Sequence, residues 1–275
     1  MKKTMMISAL AILLAGAPLT TFAATVPSVS SIEHTISADL LRQDPAITVT
    51  EPTTSQTKAR KIFVAASWLN MMNQVTTRTY MTQITPTAKN ESQVTYYVWY
   101  RETPQQQKAV AAGVKQVLKH IIKPRMDAAA KEAAINNWIV QHVKPIPTYS
   151  TVGTAYDALY KHTGVCNAFA WLAYEMLTQA HIPNRLVVGN AHYEGQSGEH
   201  AWNEVDLNGK WYMLDTTWDT SLPNHYAFFN LTSAQLSKTH TWNHAGLPIA
   251  DTNFVSMLEH SKNPQDKQIL RAIEG

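Results

Sequence analysis

Cys166 is the only cysteine of the chain, and it lies in the stretch HTGVCNAFAWLAYEML, from His162 to Leu177. A lone thiol cannot close an internal disulfide, so it is a partner for an intermolecular bridge, a reactive group or a small buried hydrophobe. Reactivity requires the thiolate, and two kinds of help are visible. Cys166 follows Gly164-Val165 at the predicted start of a helix, where unpaired backbone N–H groups favour an anion. A histidine held by a third group could also take the proton. The segment HAWNEVDLNGKWYMLDTTW, from His200 to Trp218, offers that pair in His200 and Asp215.

The turn between them sets their relation. Asn208-Gly209 is a strong two-residue hairpin signal. If it closes with Leu207 facing Lys210, Trp202 lies opposite Asp215 and His200 opposite Thr217. His200 and Asp215 are then two positions out of register and share one face of the sheet, as diagonal neighbours roughly 7–8 Å apart. A slip of one residue would place them on opposite faces. Singly, Cys166 could be core, His200 is one of 11 histidines, and Asp215 could be a strand-end cap. Together they form a nucleophile, a base and an orienting carboxylate.

The elements that must carry these residues follow from periodicity. VTYYVWYRE, from Val94 to Glu102, is rich in β-branched and aromatic residues and predicts a strand. In the next stretch Val110, Val114, Val117, Leu118 and Ile121 recur at helical steps, and Pro124 ends the run. Asp127 predicts the cap of a helix whose apolar face is Ile135, Trp138, Ile139 and Val143. From Asn167 the face is Phe169, Leu172, Ala173, Met176 and Leu177. HIPNRLVVGNAHYE predicts a strand. SWLNMMNQV, from Ser67 to Val75, reads as a core helix, with a partner surface as the alternative, and His240, Trp242 and His244 read as a capping loop. Helices first and antiparallel strands later favour an α+β fold.

The N-terminus has the grammar of a secretory signal: Lys2 and Lys3, the apolar run MMISALAILLAGAPL, and small residues around Ala23 and Ala24. The expected division is a signal peptide over 1–24, a loose Ser/Thr/Pro-rich arm over 25–58, an α/β extension over 59–125, a catalytic core over 126–250 and a tail over 251–275. LAGA has alanine where a lipobox needs cysteine, and no later run predicts a membrane span. Without Lys2 and Lys3 the 23 basic residues become 21 against 20 acidic ones. That near-neutral balance argues against a nucleic-acid partner. No CxxC, HExxH or Gly-rich phosphate loop is present, so neither a metal nor a cofactor is expected.

The segments GVCNAFAWLAYEML, HAWNEVDLNGKWYMLDTTWD and HYAFFNLT resemble the bacterial transglutaminase-like superfamily of papain-like thiol enzymes, over about Asp127 to Trp242. The resemblance implies a papain-like core of helices packed on an antiparallel sheet, with the nucleophile at a helix N-terminus. It implies acyl transfer through a thioester, with Cys166, His200 and Asp215 in the catalytic positions and a protein or peptide substrate, a cell-wall peptide among the candidates. A hydrolase, peptidase or amidase, is the preferred expectation for an exported enzyme. A glutamine transferase that crosslinks or deamidates and a non-catalytic wall-binding or adhesion module are the alternatives. The Cys166 backbone N–H is a natural oxyanion donor; Tyr149, Tyr156 and Asn167 are candidates for the second.

Overall fold

The computed structural model describes residues 28–146, 153–193 and 196–275. Residues 1–24, read from sequence as a signal, and Tyr149 lie outside the described residues. The chain forms α1 (Val29–Leu41), β1 (Ala46–Glu51), α2 (Gln56–Trp68), α3 (Met71–Thr76), β2 (Thr77–Ala88) and β3 (Glu91–Tyr100), then α4 (Pro104–Ile121), α5 (Ala128–His142) and the short β4 (Lys144–Pro145). A π-helical turn over Asp157–Lys161 precedes β5 (Thr163–Gly164), α6 (Cys166–Gln179), β6 (Asn184–Tyr193), β7 (Gln196–Leu207), β8 (Lys210–Leu214) and α7 (Thr216–Ser221). The chain continues through α8 (Ser233–Leu236), β9 (His240–Trp242), α9 (Phe254–His260) and α10 (Pro264–Glu274). This is the expected α+β class. No helix among the described residues is long and apolar enough to cross a membrane.

The expected loose arm over 25–58 is corrected by the structure. Ile32, Ile36 and Leu40 of α1, Ile47 of β1 and Ala59, Ile62 and Phe63 of α2 close a core against Val94, Tyr96 and Val98 of β3. Ser and Thr residues there include caps and polar-face positions of an ordered element, Ser28 capping α1 by accepting from the Ser31 N–H, while Ser37 and Thr53 are buried. Composition hid a helix whose buried apolar positions are only three, spaced by four. The single helix read over Ser67–Val75 is likewise two. α2 stops at Trp68, and Asn70 opens α3 by accepting from the Met72 N–H. Asn competes for backbone donors and starts helices better than it continues them.

The larger core belongs to the second half, and α4 joins it. Val110, Val114 and Leu118 pack with Ile135 and Ile139 of α5 and Phe169, Leu172 and Met176 of α6. The division expected at residue 125 therefore falls inside this core. Phe254, Leu258 and Ile269 belong to the same core, so residues 251–275 are packed helices rather than a free tail. Asp127 caps α5 as predicted, accepting from the Ala130 N–H at 2.8 Å.

The sheet that carries the site has the order β8-β7-β6-β9. Leu207 faces Lys210 and Asn203 faces Leu214, the register predicted from the turn. Asn208 and Gly209 both take positive φ, 58° and 84°, as a two-residue turn matched to strand twist requires. Along β7, Ala201, Val205 and Leu207 join the core beneath α6, and Asn203 donates to the Ala170 carbonyl of that helix. Trp202 belongs to a separate cluster on the other side with Val187 and Met213.

A buried polar bridge holds the 225–231 segment against α5. The Asn230 amide donates to Glu132 at 2.8 Å and the Asn136 amide to the His225 carbonyl at 3.0 Å. Glu132 is fully buried, and burial pushes its carboxyl up to about 8 against the opposing Asn230 hydrogen bond. A carboxyl raised on folding contributes stability that is complete below its ordinary value of 4.5 and is lost as pH rises through about 8. Glu132→Gln, which keeps the shape and an acceptor for Asn230, is expected to flatten the fall in melting temperature across that window. Parallel melting curves for variant and wild type from pH 5 to 8.5 would refute the assignment.

Candidate active site

Cys166 is the first residue of α6, which follows the extended cap residue Val165 (φ −90°, ψ 175°). The approach is fixed from behind: Gly164 in β5 pairs with Pro145 in parallel register, and the Ile146 N–H donates to the Gly164 carbonyl at 3.1 Å. The sulfur is partly exposed and lines a cleft of about 490 Å³ together with His200. The cleft walls are largely apolar, formed by Ile146, Val165, Trp218, Leu222 and Phe228.

His200 lies on β7, buried, and its Nε2 meets Asp215 Oδ2 at 2.8 Å. Cys166 lines the same cleft as His200 and adds a smaller upward push to its imidazole. With Nε2 engaged by the carboxylate, Nδ1 is the ring nitrogen left for the sulfur. The three residues proposed from sequence are thus brought together, with His200 in the middle.

Asp215 departs from the expected strand position. The β8 ladder ends at Leu214, and Asp215 is the N-cap of α7. Its Oδ1 accepts from the Thr217 N–H at 3.0 Å and the Trp218 N–H at 3.2 Å. The run Asp-Thr-Thr-Trp leaves the sheet because Asp at a helix start satisfies amides that otherwise lack partners. Cap and orienting carboxylate are therefore one residue doing two jobs with two oxygens.

The electrostatics follow from burial and pairing. Burial alone would drive the His200 imidazolium to lose its proton. The Asp215 charge and hydrogen bond, with a smaller share from Cys166, outweigh it and hold the ring up to about 10. Burial would raise the Asp215 carboxyl, but His200 first and His240 second keep it well below the usual carboxylate range. Both directions describe one coupling, a buried carboxylate facing an imidazolium.

His240, read from sequence as part of a capping loop, is the residue that reading missed. It opens β9, is fully buried, and its Nε2 lies 3.2 Å from the same Asp215 Oδ2. The alternation Thr239-His240-Thr241-Trp242 is a period-2 signal, but four residues are too few to separate a strand from a loop. Among the described residues, His200, Asp215 and His240 also bring one possible ligand atom each within 4.8 Å of one another. Contacts of 2.8 and 3.2 Å are hydrogen-bond lengths, and they already engage Nε2 of both rings and the shared oxygen.

Aromatic rings enclose the pair. Trp202 stacks on His200 with centroids 6.0 Å apart, and Trp218 lies 5.9 Å from His200 and 4.6 Å from His240. Trp202 is core, whereas Trp218 also walls the cleft. Tyr156 and Asn167 are not among the residues lining the cleft. The Tyr156 N–H donates to Glu102 instead, at 2.7 Å.

Residues 115–216 match the family model described as the Transglutaminase-like superfamily. An uncharacterised protein of Mycobacterium leprae (strain TN) is 30% identical over 135 residues, 45% of each chain. The chain thus spans just under half the length of this curated relative. A solved TGase structure is 12% identical with a TM-score of 0.34, covering 62% of this chain and 50% of that one. The periplasmic domain of TgpA from Pseudomonas aeruginosa is 18% identical with a TM-score of 0.31, covering 49% of this chain and 56% of that one.

Proposed function

Starting from the match of residues 115–216 to the transglutaminase-like family model, we propose an exported thiol enzyme that cleaves amides in peptides by acyl transfer to water. The observation that carries this reading is His200 bonded to Asp215 in the cleft that Cys166 also lines, a cleft large enough for a peptide side chain. The Cys166 sulfur attacks the amide carbonyl carbon, and His200 gives its proton to the leaving amine as the C–N bond breaks. Water then attacks the thioester while His200 takes its proton, releasing the acid and restoring the thiol. Asp215 keeps the imidazole aligned and its positive charge compensated throughout.

Water is the favoured acceptor because Cys166 is partly exposed and the cleft opens to solvent; transfer to an amine needs a thioester shielded from water. The apolar walls favour a substrate with a bulky apolar residue beside the scissile amide. Export rests on the signal grammar of residues 1–24. The test is a peptide-library digestion with and without a labelled primary amine. Cleavage next to apolar residues supports the hydrolase. Incorporation of the amine into a glutamine peptide without cleavage replaces it with the transferase.

A further inference from the structure

We infer that His240 is a positioning residue of this site: its Nε2–H clamps the Asp215 oxygen that orients His200. The inference rests on the thiol-enzyme reading for its kinetic consequence and on geometry for the clamp.

Asp215 Oδ2 stands 2.8 Å from His200 Nε2 and 3.2 Å from His240 Nε2. An ionised carboxylate can only accept, so His240 Nε2 must carry the hydrogen. The other ring nitrogen, Nδ1, is 2.9 Å from the Thr239 hydroxyl, which can donate to it. Both ring nitrogens of His240 are then engaged and its ring plane is fixed. Asp215 accepts four hydrogen bonds, two on Oδ1 from backbone N–H groups and two on Oδ2 from imidazoles. A buried carboxylate costs least when all its lone pairs are used.

The clamp acts on geometry. The two Oδ1 bonds come from successive amides of one turn and leave the carboxylate free to tilt about them. The His240 bond comes from another strand and fixes the second oxygen, hence the direction in which His200 is held. His240 is itself held by its neighbours. Trp202 lies 5.0 Å away edge-on, Trp218 4.6 Å, and Phe228 5.9 Å. The His240 ring meets the titratable His200 and Asp215, and Asp219 stands behind Phe228, accepting from its N–H at 2.7 Å. Beside it, Gly189 of β6 faces Trp242 of β9 in the ladder, and a Cβ there would collide with the Thr241 carbonyl and the Trp202 ring. The bare glycine is what lets β9 sit close enough for His240 to reach Asp215.

The test uses the single thiol, so no substrate need be known. Iodoacetamide alkylation of Cys166 is followed across pH 5–10.5 in wild type, His240→Phe and His240→Gln, with near-UV circular dichroism as the check of packing. Phe keeps the ring without the donor; Gln restores an N–H. Loss of one hydrogen bond to a charged group corresponds to about a tenfold change or more. The expected result is alkylation at pH 7 slowed at least tenfold in His240→Phe, with the alkaline inflection moved toward neutrality, and recovery in His240→Gln. A wild-type profile in a folded His240→Phe overturns the inference. If that variant does not fold, long-range ¹H–¹⁵N spectra of the wild-type histidines decide. A neutral Nε2–H tautomer for His240 is expected, and an Nδ1–H tautomer overturns the clamp even if Cys166 proves to be a nucleophile.

Discussion

Asp215→Asn is expected to slow acyl transfer by about 10³–10⁴-fold, and to do so without unfolding the chain near neutral pH. The scale is that of losing the orienting carboxylate in a catalytic triad. Asparagine is as good a helix cap as aspartate, so the bonds from the Thr217 and Trp218 N–H groups to Oδ1 survive. The second oxygen becomes an NH₂ group facing two imidazole nitrogens that both donate in the wild type. His200 must then switch tautomer or turn, and the nitrogen facing the sulfur is no longer the one that can take its proton. The charge effect adds to the geometric one. Without the Asp215 anion, only the smaller Cys166 contribution opposes burial, and His200 falls from about 10 toward or below its ordinary 6.5.

This gives two readouts. The alkaline inflection in Cys166 alkylation, expected near pH 10 in the wild type, should drop below neutrality in Asp215→Asn. Stability should follow the same coupling. The raised His200 contributes stability that is complete below 6.5 and is lost as pH rises through about 10. The lowered Asp215 contributes stability that is present above 3.8 and is lost as pH falls. The pair is one coupling seen from either partner, so its contribution is largest between about 4 and 6.5. The melting-temperature gap between wild type and variant should be widest there and close toward pH 10. An unchanged alkylation profile in the variant would remove Asp215 from the relay.

Cys166→Ser is expected to abolish turnover, by about 10⁴-fold or more, with a melting temperature close to wild type. The hydroxyl does not ionise near neutral pH, and the His200–Asp215 pair is set for a thiol, so neither attack nor thioester formation proceeds. The site is partly exposed at the first turn of α6, where serine is well tolerated and no cavity opens. Peptide cleavage and thermal melts of the same preparation check both halves. A folded variant keeping more than a hundredth of the activity would move the chemistry away from this residue.

Much of the site was legible before the fold. A single thiol at a helix start, a turn that dictates its own register, and a histidine and aspartate placed by that register are local facts. Short-range sterics decide them: Asn208-Gly209 admits one kind of turn, and parity along β7 follows. The helical faces of α4, α5 and α6 were legible for the same reason, since a 3.6-residue period is written into neighbouring residues. The resemblance of the Cys, His and Asp segments to one superfamily agreed with that reading.

What the sequence did not disclose depends on partners far along the chain. Residues 29–51 have the composition of a tether, and become helix and strand only because β3 supplies Val94, Tyr96 and Val98 to bury against. Asp215 could be read as a strand residue or as a cap, and the end of the β8 ladder decided for the cap. His240 stands 25 positions beyond Asp215, on a strand of three residues whose alternation is too short to separate from a loop. Its place beside the carboxylate exists because β9 pairs with β6 at Gly189. Sequence determined which groups could react, because side-chain chemistry and local backbone preference are properties of the residues themselves. Tertiary structure decided which of them meet and which are desolvated, because burial and long-range pairing are properties of the whole folded chain.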